Sequence, residues 1–394
     1  MPRHLAFPVL FASLACGLHA QNKPEDYAAL EELFQIPKNS FSLSVRYSGK
    51  SSVRFKGLGT IESARSAGTT TDETTRTYDD GTVSIDSRTN DDGVDLPDDG
   101  RTNTWSYAKT SQVLPDESGI AFHTYSSVTE GAELALSEGA TPGIDVEYGH
   151  QFGQSKRRNR EGTPRWAWGI LLGFGMSDVN LKTRESIRAT LNTLTDTYSL
   201  LGSPVPLDDA PDDGTAYSAP STATETITAS DGTTSSFTVD TTTLLGNRPE
   251  SRLLTATPGG AEIEGFWQIK GAYFTLRSGP WVRWQPSEKI SVRLSAGATV
   301  SWLGMHIRYD ERLVRDDVAA EIRATNETQN EGIGIPGVFS GLEAEWWLTQ
   351  RTGFFGGATF EQFSKDATLE ADGRKADVKI SSGLGLRLGI TTRF

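Results

Sequence analysis

The sequence predicts an all-β chain that forms one antiparallel transmembrane β-barrel of about 12 strands, with 10 to 14 allowed, preceded by a short N-terminal helix. Three observations predict it. Long segments alternate apolar and polar residues, short turns alternate with long polar connections, and the chain ends on an alternating strand that terminates in Phe394. Its 394 residues contain no uninterrupted apolar run long enough for a membrane-spanning helix.

The first element along the chain is an export signal. Arg3 and His4 precede an apolar stretch from Leu5 to Leu18, and Ala20 supplies the small residue of a cleavage site. Residues 1–20 are therefore expected to be a signal peptide. A lipid anchor on Cys16 is the alternative, but Ser13 stands where a lipobox has leucine or a similar residue.

The second element, residues 21–38, is expected to be a helix that lies in the periplasm or in the barrel lumen. Tyr27, Leu30, Leu33 and Phe34 recur at helical spacing, and Asn22 can cap the N-terminus. Either this helix or the long loop described below could plug the lumen.

The third element is the barrel, expected over residues 39–394. From Phe41 onward the hydrophobic period becomes two, and several segments exceed the five or six residues of an average soluble strand. The expected strands are 41–62, 72–79, 82–90, 101–109, 118–127, 142–154, 165–182, 266–285, 289–305, 336–348, 353–364 and 375–394.

The connections between these strands predict the orientation of the barrel. Residues 285–289 and 349–352 are short turns, whereas residues from about 184 to 262 form a long surface loop rich in Thr, Ser, Asp and Pro. Both chain ends are placed on the short-turn, periplasmic side, which requires an even number of strands. An aromatic girdle is expected at that end. It contains Trp166, Trp168, Trp284, Trp346 and Phe394.

The last strand carries the most specific pattern. Val378, Ile380 and Ser382 begin it, and Leu384, Leu386, Leu388, Ile390, Thr392 and Phe394 follow on the same register. This resembles the C-terminal assembly signal of bacterial outer-membrane β-barrel proteins, in which apolar residues alternate up to a terminal Phe; Thr392 departs from the usual large apolar residue. The resemblance implies an outer-membrane location after export through the periplasm, with outer-membrane lipid and the barrel-assembly machinery as partners.

A second resemblance is weaker. The stretch from Arg76 to Val83, followed by Thr104 to Tyr107, is similar to segments of uncharacterised bacterial barrel-type proteins, and it implies no function.

The register opposite the apolar one is expected to line the lumen, and it is rich in charge. Its basic residues are Arg46, Lys50, Arg54, Lys56, Arg277, Arg283, Arg293, Lys379, Arg387 and Arg393, and its acidic residues are Asp145, Glu147, Glu343, Glu345 and Glu361. A basic, glycine-rich lumen predicts a passive pore for small polar or anionic solutes, with these residues setting selectivity. The alternative is that the same charges pair with one another and fill a small barrel.

Two other functions remain open. His306 near the outer rim would serve as the base of an outer-leaflet lipid hydrolase, although no hydrolase motif accompanies it, so an enzyme is not the favoured interpretation. The Thr-rich loop suits a surface adhesin or a structural barrel.

The composition excludes several classes of ligand. The net charge of -13 argues against nucleic acid. No cofactor motif is present. The acidic clusters do not have EF-hand spacing, so solvated loops are favoured over calcium sites. They are Asp91, Asp92, Asp95, Asp98 and Asp99, and Asp208, Asp209, Asp212 and Asp213. The oligomeric state is not specified by the sequence.

Overall fold

The computed structural model describes residues 37–63, 65–67, 75–86, 94, 97–206, 217–315, 322–380 and 383–394, without the side chains of residues 50 and 329–331. The expected signal peptide lies outside these residues, as does the expected helix except for its last two positions, which are not helical. None of the described helices is long and apolar enough to cross a membrane.

Within the described residues the chain forms nineteen strands and one short 3₁₀ helix, Thr110–Gln112. The strands are β1 (Asn39–Lys56), β2 (Thr75–Tyr78), β3 (Gly81–Ser84), β4 (Arg101–Thr102), β5 (Trp105–Tyr107), β6 (Gly119–Val128), β7 (Leu134–Gln154), β8 (Trp166–Ser199), β9 (Tyr217–Ser218), β10 (Thr222–Thr228), β11 (Thr234–Asp240), β12 (Leu245–Gly246), β13 (Ser251–Trp284), β14 (Ile290–Leu313), β15 (Ile322–Trp347), β16 (Thr352–Phe363), β17 (Ala367–Ala371), β18 (Arg374–Lys379) and β19 (Gly383–Arg393).

Eight of these strands close into an antiparallel barrel. The hydrogen-bonded circuit runs β1–β7–β8–β13–β14–β15–β16–β19 and returns to β1. Asn39 and Phe394 exchange backbone hydrogen bonds of 3.1 and 3.0 Å where the first and last strands meet. Both ends of the barrel segment therefore lie on the side of the short turns, and the strand number is even, as predicted.

The all-β antiparallel barrel is confirmed, and the main sheet contains eleven strands, within the predicted range of 10 to 14. Three of the eleven do not belong to the circuit. β17 and β18 form a hairpin that continues β16 and β19, while β6 pairs with the far end of β8. The barrel wall itself contains eight strands. A barrel of eight strands has an interior just wide enough for side chains.

The four expected barrel strands between residues 72 and 127 lie outside the wall. β2, β3, β5 and β9 form a separate four-stranded sheet, and β6 extends the main sheet. β2 and β3 have only four residues each, whereas about ten are needed to cross a bilayer. They cover a second apolar cluster that contains Trp105, Phe122 and Tyr198. These strands belong to the water-exposed part of the molecule.

An apolar belt surrounds the barrel next to the short turns. It runs from Trp166 to Met176 on β8, from Phe274 to Trp284 on β13 and from Ile290 to Trp302 on β14, and its side chains point outward. These lengths match the tilted strands that cross a bilayer. The predicted aromatic girdle lies on this outer face at the short-turn end, since Trp166, Trp168, Trp284, Trp346 and Phe394 are 37–58% exposed.

The two faces of the wall exchange polarity above the belt, as β14 demonstrates. Up to Trp302 its outward residues are apolar and its inward residues are Ser, Arg, Gly and Thr. From Leu303 onward the inward residues Leu303, Met305, Ile307 and Tyr309 are buried and apolar, while outward positions such as Arg308 are polar. Below this level the outer face of the barrel is apolar and the interior is polar, and above it the barrel has an apolar core and a polar outer face, as water-exposed proteins do.

The water-exposed part is larger than the expected long loop suggests. β8 and β13 have 34 residues each, or about 110 Å of strand, so residues 184–199 and 251–262 of that loop are strand. The Thr-rich segment contributes the exposed hairpin β10–β11. All of this structure lies beyond the belt, on the side expected for surface loops.

Candidate functional site

Eleven of the fifteen expected lumen-lining residues lie inside the barrel. Ten are at most 5% exposed, and the side chain of Arg393, near the short-turn end, is 13% exposed. The eleven are Arg46, Arg277, Arg283, Arg293, Arg387, Arg393, Asp145, Glu147, Glu343, Glu345 and Glu361. The interior therefore holds six basic and five acidic residues in place of the expected ten and five.

The other four expected lumen residues are not found in the described part of the interior. The side chain of Arg54 is 58% exposed and that of Lys56 is 38% exposed, both near Glu133, and Lys379 is also exposed on the outer face. The side chain of Lys50 lies outside the described residues. The outward direction of Arg54 and Lys56 has a local cause. β1 shifts register against β7 between Ser48 and Ser52, so every later side chain of β1 points to the opposite face.

A similar change of face affects the last expected strand. Val378 and Ile380 are buried inside the water-exposed part, whereas Leu384, Leu386, Leu388 and Ile390 point outward. The change falls between β18 and β19, around Gly383 and the undescribed residues 381–382. Lys379 is on the outer face for this reason.

The inward charges in the membrane part form one ion-pair network. Arg277 binds both carboxylate oxygens of Asp145 at 2.6 Å, and Arg46 binds Glu361 at 2.5 Å. Arg387 lies 3.4 Å from Asp145 and joins this layer to the next.

Closer to the short turns, Arg293 binds Glu147 at 2.5 Å and also pairs with Glu343. Arg387 donates to Glu343 at 2.5 Å as well. The network thus extends through the interior in successive layers, and charges from seven of the eight wall strands hold one another in place.

Inward glycines give these long side chains their space. A Cβ on Gly173 would lie 3.2 Å from a guanidinium nitrogen of Arg277, and a Cβ on Gly357 would lie 2.6 Å from the Glu343 side chain. The volume that the missing side chains leave is therefore filled by arginine and glutamate.

The water-exposed part of the barrel is also filled. After β1, the chain crosses the interior through Leu58, Gly59 and Ile61. Leu58 and Ile61 are at most 1% exposed. Buried Glu311 accepts hydrogen bonds from Gly59 N at 3.2 Å and from Trp267 Nε1 at 2.9 Å, and it pairs with Arg374 at 2.7 Å. Residues 57–61 thus fill this part of the barrel, while the N-terminal helix that the sequence offered as a plug lies outside the described residues.

An open groove lies on the outer wall above the belt, and we call it the Phe266 groove. It has a volume of about 720 Å³. It is lined by Arg184, Glu185, Ser186, Glu264, Gly265, Phe266, Arg308, Asp310, Arg312 and Arg323. Strand pairing explains the assembly, because Phe266 on β13 lies between Arg184 on β8 and Asp310 on β14.

Two guanidinium groups contact the ring at the centre of the Phe266 groove. Arg184 Cζ lies 5.4 Å and Arg308 Cζ lies 5.9 Å from the ring centroid, so both form cation–π contacts. Both arginines are exposed, and Phe266 is half-buried. The ring thereby holds two positive charges in place at the surface.

The remaining charges of the Phe266 groove include two ion pairs. Arg323 donates to both oxygens of Asp310 at 2.6 Å, and these hydrogen bonds lower the pKa of Asp310. Arg312 pairs with Glu264. With Glu185 the groove contains four arginines and three carboxylates, and Arg184 and Arg308 are the cations directed at Phe266.

The remaining candidates from the sequence are His306 and the two acidic clusters. His306 lies on the outer face two residues from Gly304, opposite Lys270 across the sheet. No described group of three His, Cys, Asp or Glu side chains could hold a metal ion. Asp98 and Asp99 accept hydrogen bonds from backbone amides at 2.8 and 3.0 Å. The other expected acidic-cluster residues are undescribed.

Sequence reasoning missed the Phe266 groove because it ended the two flanking strands too early. Arg184 was placed in the long loop, and Arg308 was placed just beyond its strand. The available signal was the continued period of two from Trp302 to Arg312, with Arg308, Asp310 and Arg312 all on one face.

No protein-family model matches the chain, and no curated protein matches it. Among solved structures, the chain is similar to Ail of Yersinia pestis in complex with sucrose octasulfate (10% identity, 91% of this chain and 99% of that chain covered, TM-score 0.21). It is also similar to the outer membrane protease OmpT of Escherichia coli (7%, 90% and 96%, TM-score 0.26) and to a Pseudomonas aeruginosa FadL homologue (9%, 91% and 90%, TM-score 0.17). At TM-scores below 0.5, these similarities carry no argument about the function of this chain.

Proposed function

We propose that the protein is a closed outer-membrane barrel that displays a binding surface for an anionic ligand outside the cell. The observation that carries the proposal is the paired charge of the interior, which occupies the space through which a solute would pass. The apolar belt and the short turns support the outer-membrane location. The water-exposed part, which contains most of β8 and β13, then becomes the functional part.

The pore predicted from the sequence is not favoured by this interior. An eight-stranded barrel has room for its side chains and little else. Here that room contains six arginines and five carboxylates, ten of them at most 5% exposed. Moving an ion through would require breaking buried ion pairs, and each break would leave uncompensated buried charges at a cost of several kcal/mol.

We expect the full-length protein to give no stable single-channel conductance in planar bilayers. The same recording on a variant with smaller interior side chains, Arg277→Ala with Glu361→Ala, provides the comparison, since it removes charge from the central layer. Regular conductance steps in the wild-type protein would contradict the closed barrel.

The chemistry of the Phe266 groove indicates the ligand class. Guanidinium groups bind phosphate, sulfate and carboxylate through paired hydrogen bonds. Arg184 and Arg308 are exposed and are oriented by one ring, so little side-chain freedom is lost when an anion binds. The groove opens sideways from the wall, six to eight residues above the belt along β14 and β8. We therefore propose a ligand that carries several phosphate or sulfate groups at the cell surface.

The double variant Arg184→Gln/Arg308→Gln is expected to bind dextran sulfate at least about 10-fold more weakly than the wild-type protein, since two charged contacts are lost. Binding is measured by surface plasmon resonance on protein in detergent micelles, with uncharged dextran as the ligand control. Wild-type binding should weaken as salt increases.

The matched control for this experiment is Arg188→Gln. Arg188 lies on the same strand, its side chain is 67% exposed, and it pairs with Glu262 at 3.5 Å. This variant should retain wild-type affinity. If it loses as much affinity as the double variant, the interaction is general surface charge and the groove is not the site.

The last strand has a place in this proposal as well. Leu384, Leu386, Leu388, Ile390 and Phe394 point outward at the seam between β19 and β1. We propose that the barrel-assembly machinery reads this strand before the seam closes, and that outer-membrane lipid covers it afterwards.

A further inference from the structure

A cavity at the short-turn end of the barrel has an excess of positive charge. Its volume is about 240 Å³, and its lining contains four arginines, Arg158, Arg283, Arg351 and Arg393, against one carboxylate, Glu288. Arg283 on β13 and Arg393 on β19 point inward and form the floor, whereas Arg158 and Arg351 lie in the exposed turns after β7 and β15 and form the rim. We call it the arginine cavity.

The two floor arginines share one carboxylate. Arg283 Nε lies 3.0 Å and Arg393 Nη2 lies 3.7 Å from Glu345, and Arg293 approaches the same carboxylate to 3.7 Å. Glu345 also accepts a 2.6 Å hydrogen bond from Ser291. The floor therefore carries more positive charge than this one carboxylate neutralises, and the excess lies where the arginine cavity begins.

Buried polar atoms in the lining lack hydrogen-bond partners. Nε and Nη2 of Arg393 and the hydroxyl of Thr163 are buried and form no hydrogen bond within the described part of the chain. Arg393 Cζ lies 3.4 Å from the centroid of the Trp347 ring, and this cation–π contact compensates the charge only in part. Buried donors without acceptors cost free energy, and an anion close to them lowers that cost.

The turn that contains Arg158 adds to the positive charge at this end. Residues 155–165 have five basic side chains, Lys156, Arg157, Arg158, Arg160 and Arg165, against one carboxylate, Glu161. The whole chain has a net charge of -13, so the turn is a local concentration of positive charge on an acidic protein. Such a concentration attracts anions toward the cavity.

The rim is held in place by hydrogen bonds of its own. Arg158 Nη1 donates to the carbonyl oxygen of Gly162 at 2.6 Å, which closes the turn on itself. The carbonyl oxygen of Arg351 accepts a 2.7 Å hydrogen bond from Arg393 N, which joins the other rim turn to the floor. A lining that is ordered in advance loses little conformational entropy when a ligand binds.

We propose that the arginine cavity binds a phosphate group. Guanidinium groups pair with oxyanions through parallel hydrogen bonds, and a phosphate presents more acceptor oxygens than a carboxylate to arginines that converge from two turns and two strands. Both a soluble phosphate and a phospholipid headgroup carry this chemistry. The cavity shares no residue with the Phe266 groove, so the proposal does not depend on ligand binding at the cell surface.

Titration with inorganic phosphate, followed by the phosphorus NMR line width, tests the site. The protein is held in phospholipid-free micelles at constant ionic strength and carries Arg184→Gln/Arg308→Gln, so that the Phe266 groove does not contribute. Adding Arg158→Gln with Arg351→Gln should weaken phosphate binding at least about 10-fold, because two charged contacts are lost. Both side chains are exposed, so these substitutions leave the buried ion-pair network intact.

The matched control is Arg157→Gln with Arg160→Gln. It removes the same charge from exposed side chains that do not line the cavity, and the phosphate affinity should stay within about 2-fold of the parent protein. Acetate should compete with phosphate only weakly. Equal losses in the two double variants, equal competition by acetate, or no saturable phosphate binding to the parent protein would overturn the proposal.

Micelles that contain phosphatidylglycerol distinguish the two sources of the phosphate group. If the lipid competes with inorganic phosphate in the parent protein, the cavity takes a phospholipid headgroup. If the affinity for inorganic phosphate is unchanged, the cavity takes a soluble phosphate. Either result, together with the 10-fold loss expected for the rim variant, supports the phosphate site.

Discussion

Replacing Arg277 with methionine is expected to lower the free energy of unfolding by about 3–5 kcal/mol, which is the largest effect we expect from one interior substitution. Arg277 is 1% exposed and binds both oxygens of Asp145, which is itself 0% exposed. Within the described part of the chain, the variant leaves Asp145 with the longer contacts to Arg46 at 3.9 Å and Arg387 at 3.4 Å. Urea unfolding in lipid vesicles measures the change.

Two further variants separate a buried charge from a general loss of packing. Arg54→Ala removes an exposed arginine that lies 3.8 Å from Glu133, and it should cost less than about 1 kcal/mol. Arg277→Met combined with Asp145→Asn should be less destabilising than the sum of the two single variants, since the unpaired carboxylate is gone. Additive losses would show that Arg277 acts through packing alone.

The network explains why the same residues allowed two functional interpretations. The sequence places Arg277, Arg293 and Glu343 on the inward register, but a list of inward charges has the same form for an open pore and for a filled barrel. The number of strands in the wall sets the width of the interior, and this width distinguishes an open pore from a filled barrel. That number depends on which segments join the wall. Residues 75–78 and 81–84 alternate like barrel strands, yet their pairing partners lie in a separate sheet. The local alternation of apolar and polar residues does not indicate which sheet a strand will join.

The faces of the strands were predictable only between irregularities. From Phe41 to Tyr47 the outward register follows the sequence, and the eight-stranded circuit retains eight of the twelve expected segments. Past Ser48 the shift in pairing moves Val53 and Phe55 inside and Arg54 outside. The alternation of β1 continues in the sequence without a visible break, so a one-residue shift leaves no signal there.

The polarity exchange above the belt was, in contrast, present in the sequence. On β14 the apolar residues occupy even positions up to Trp302 and odd positions from Leu303, with Arg308, Asp310 and Arg312 on the even ones. A strand that enters water must exchange its faces, because its outer face then contacts solvent and its inner face packs on itself. The Phe266 groove lies on that second stretch, so the same rule locates the candidate site.

Arginine substitutions on either side of the polarity exchange should therefore differ strongly in effect. Ala296 points outward near the middle of the belt on β14, and Ala296→Arg should cost about 2–4 kcal/mol because it places a charge in the hydrocarbon. Gly304 points outward on the same strand just above Trp302, and no heavy atom lies within 4 Å of a Cβ added there. Gly304→Arg should therefore change the free energy of unfolding by at most about 1 kcal/mol. Both are measured by urea unfolding in vesicles, with detergent micelles as the second medium. Similar losses for the two variants would mean that lipid extends past Trp302 and that the outer wall around Phe266 is not exposed to water.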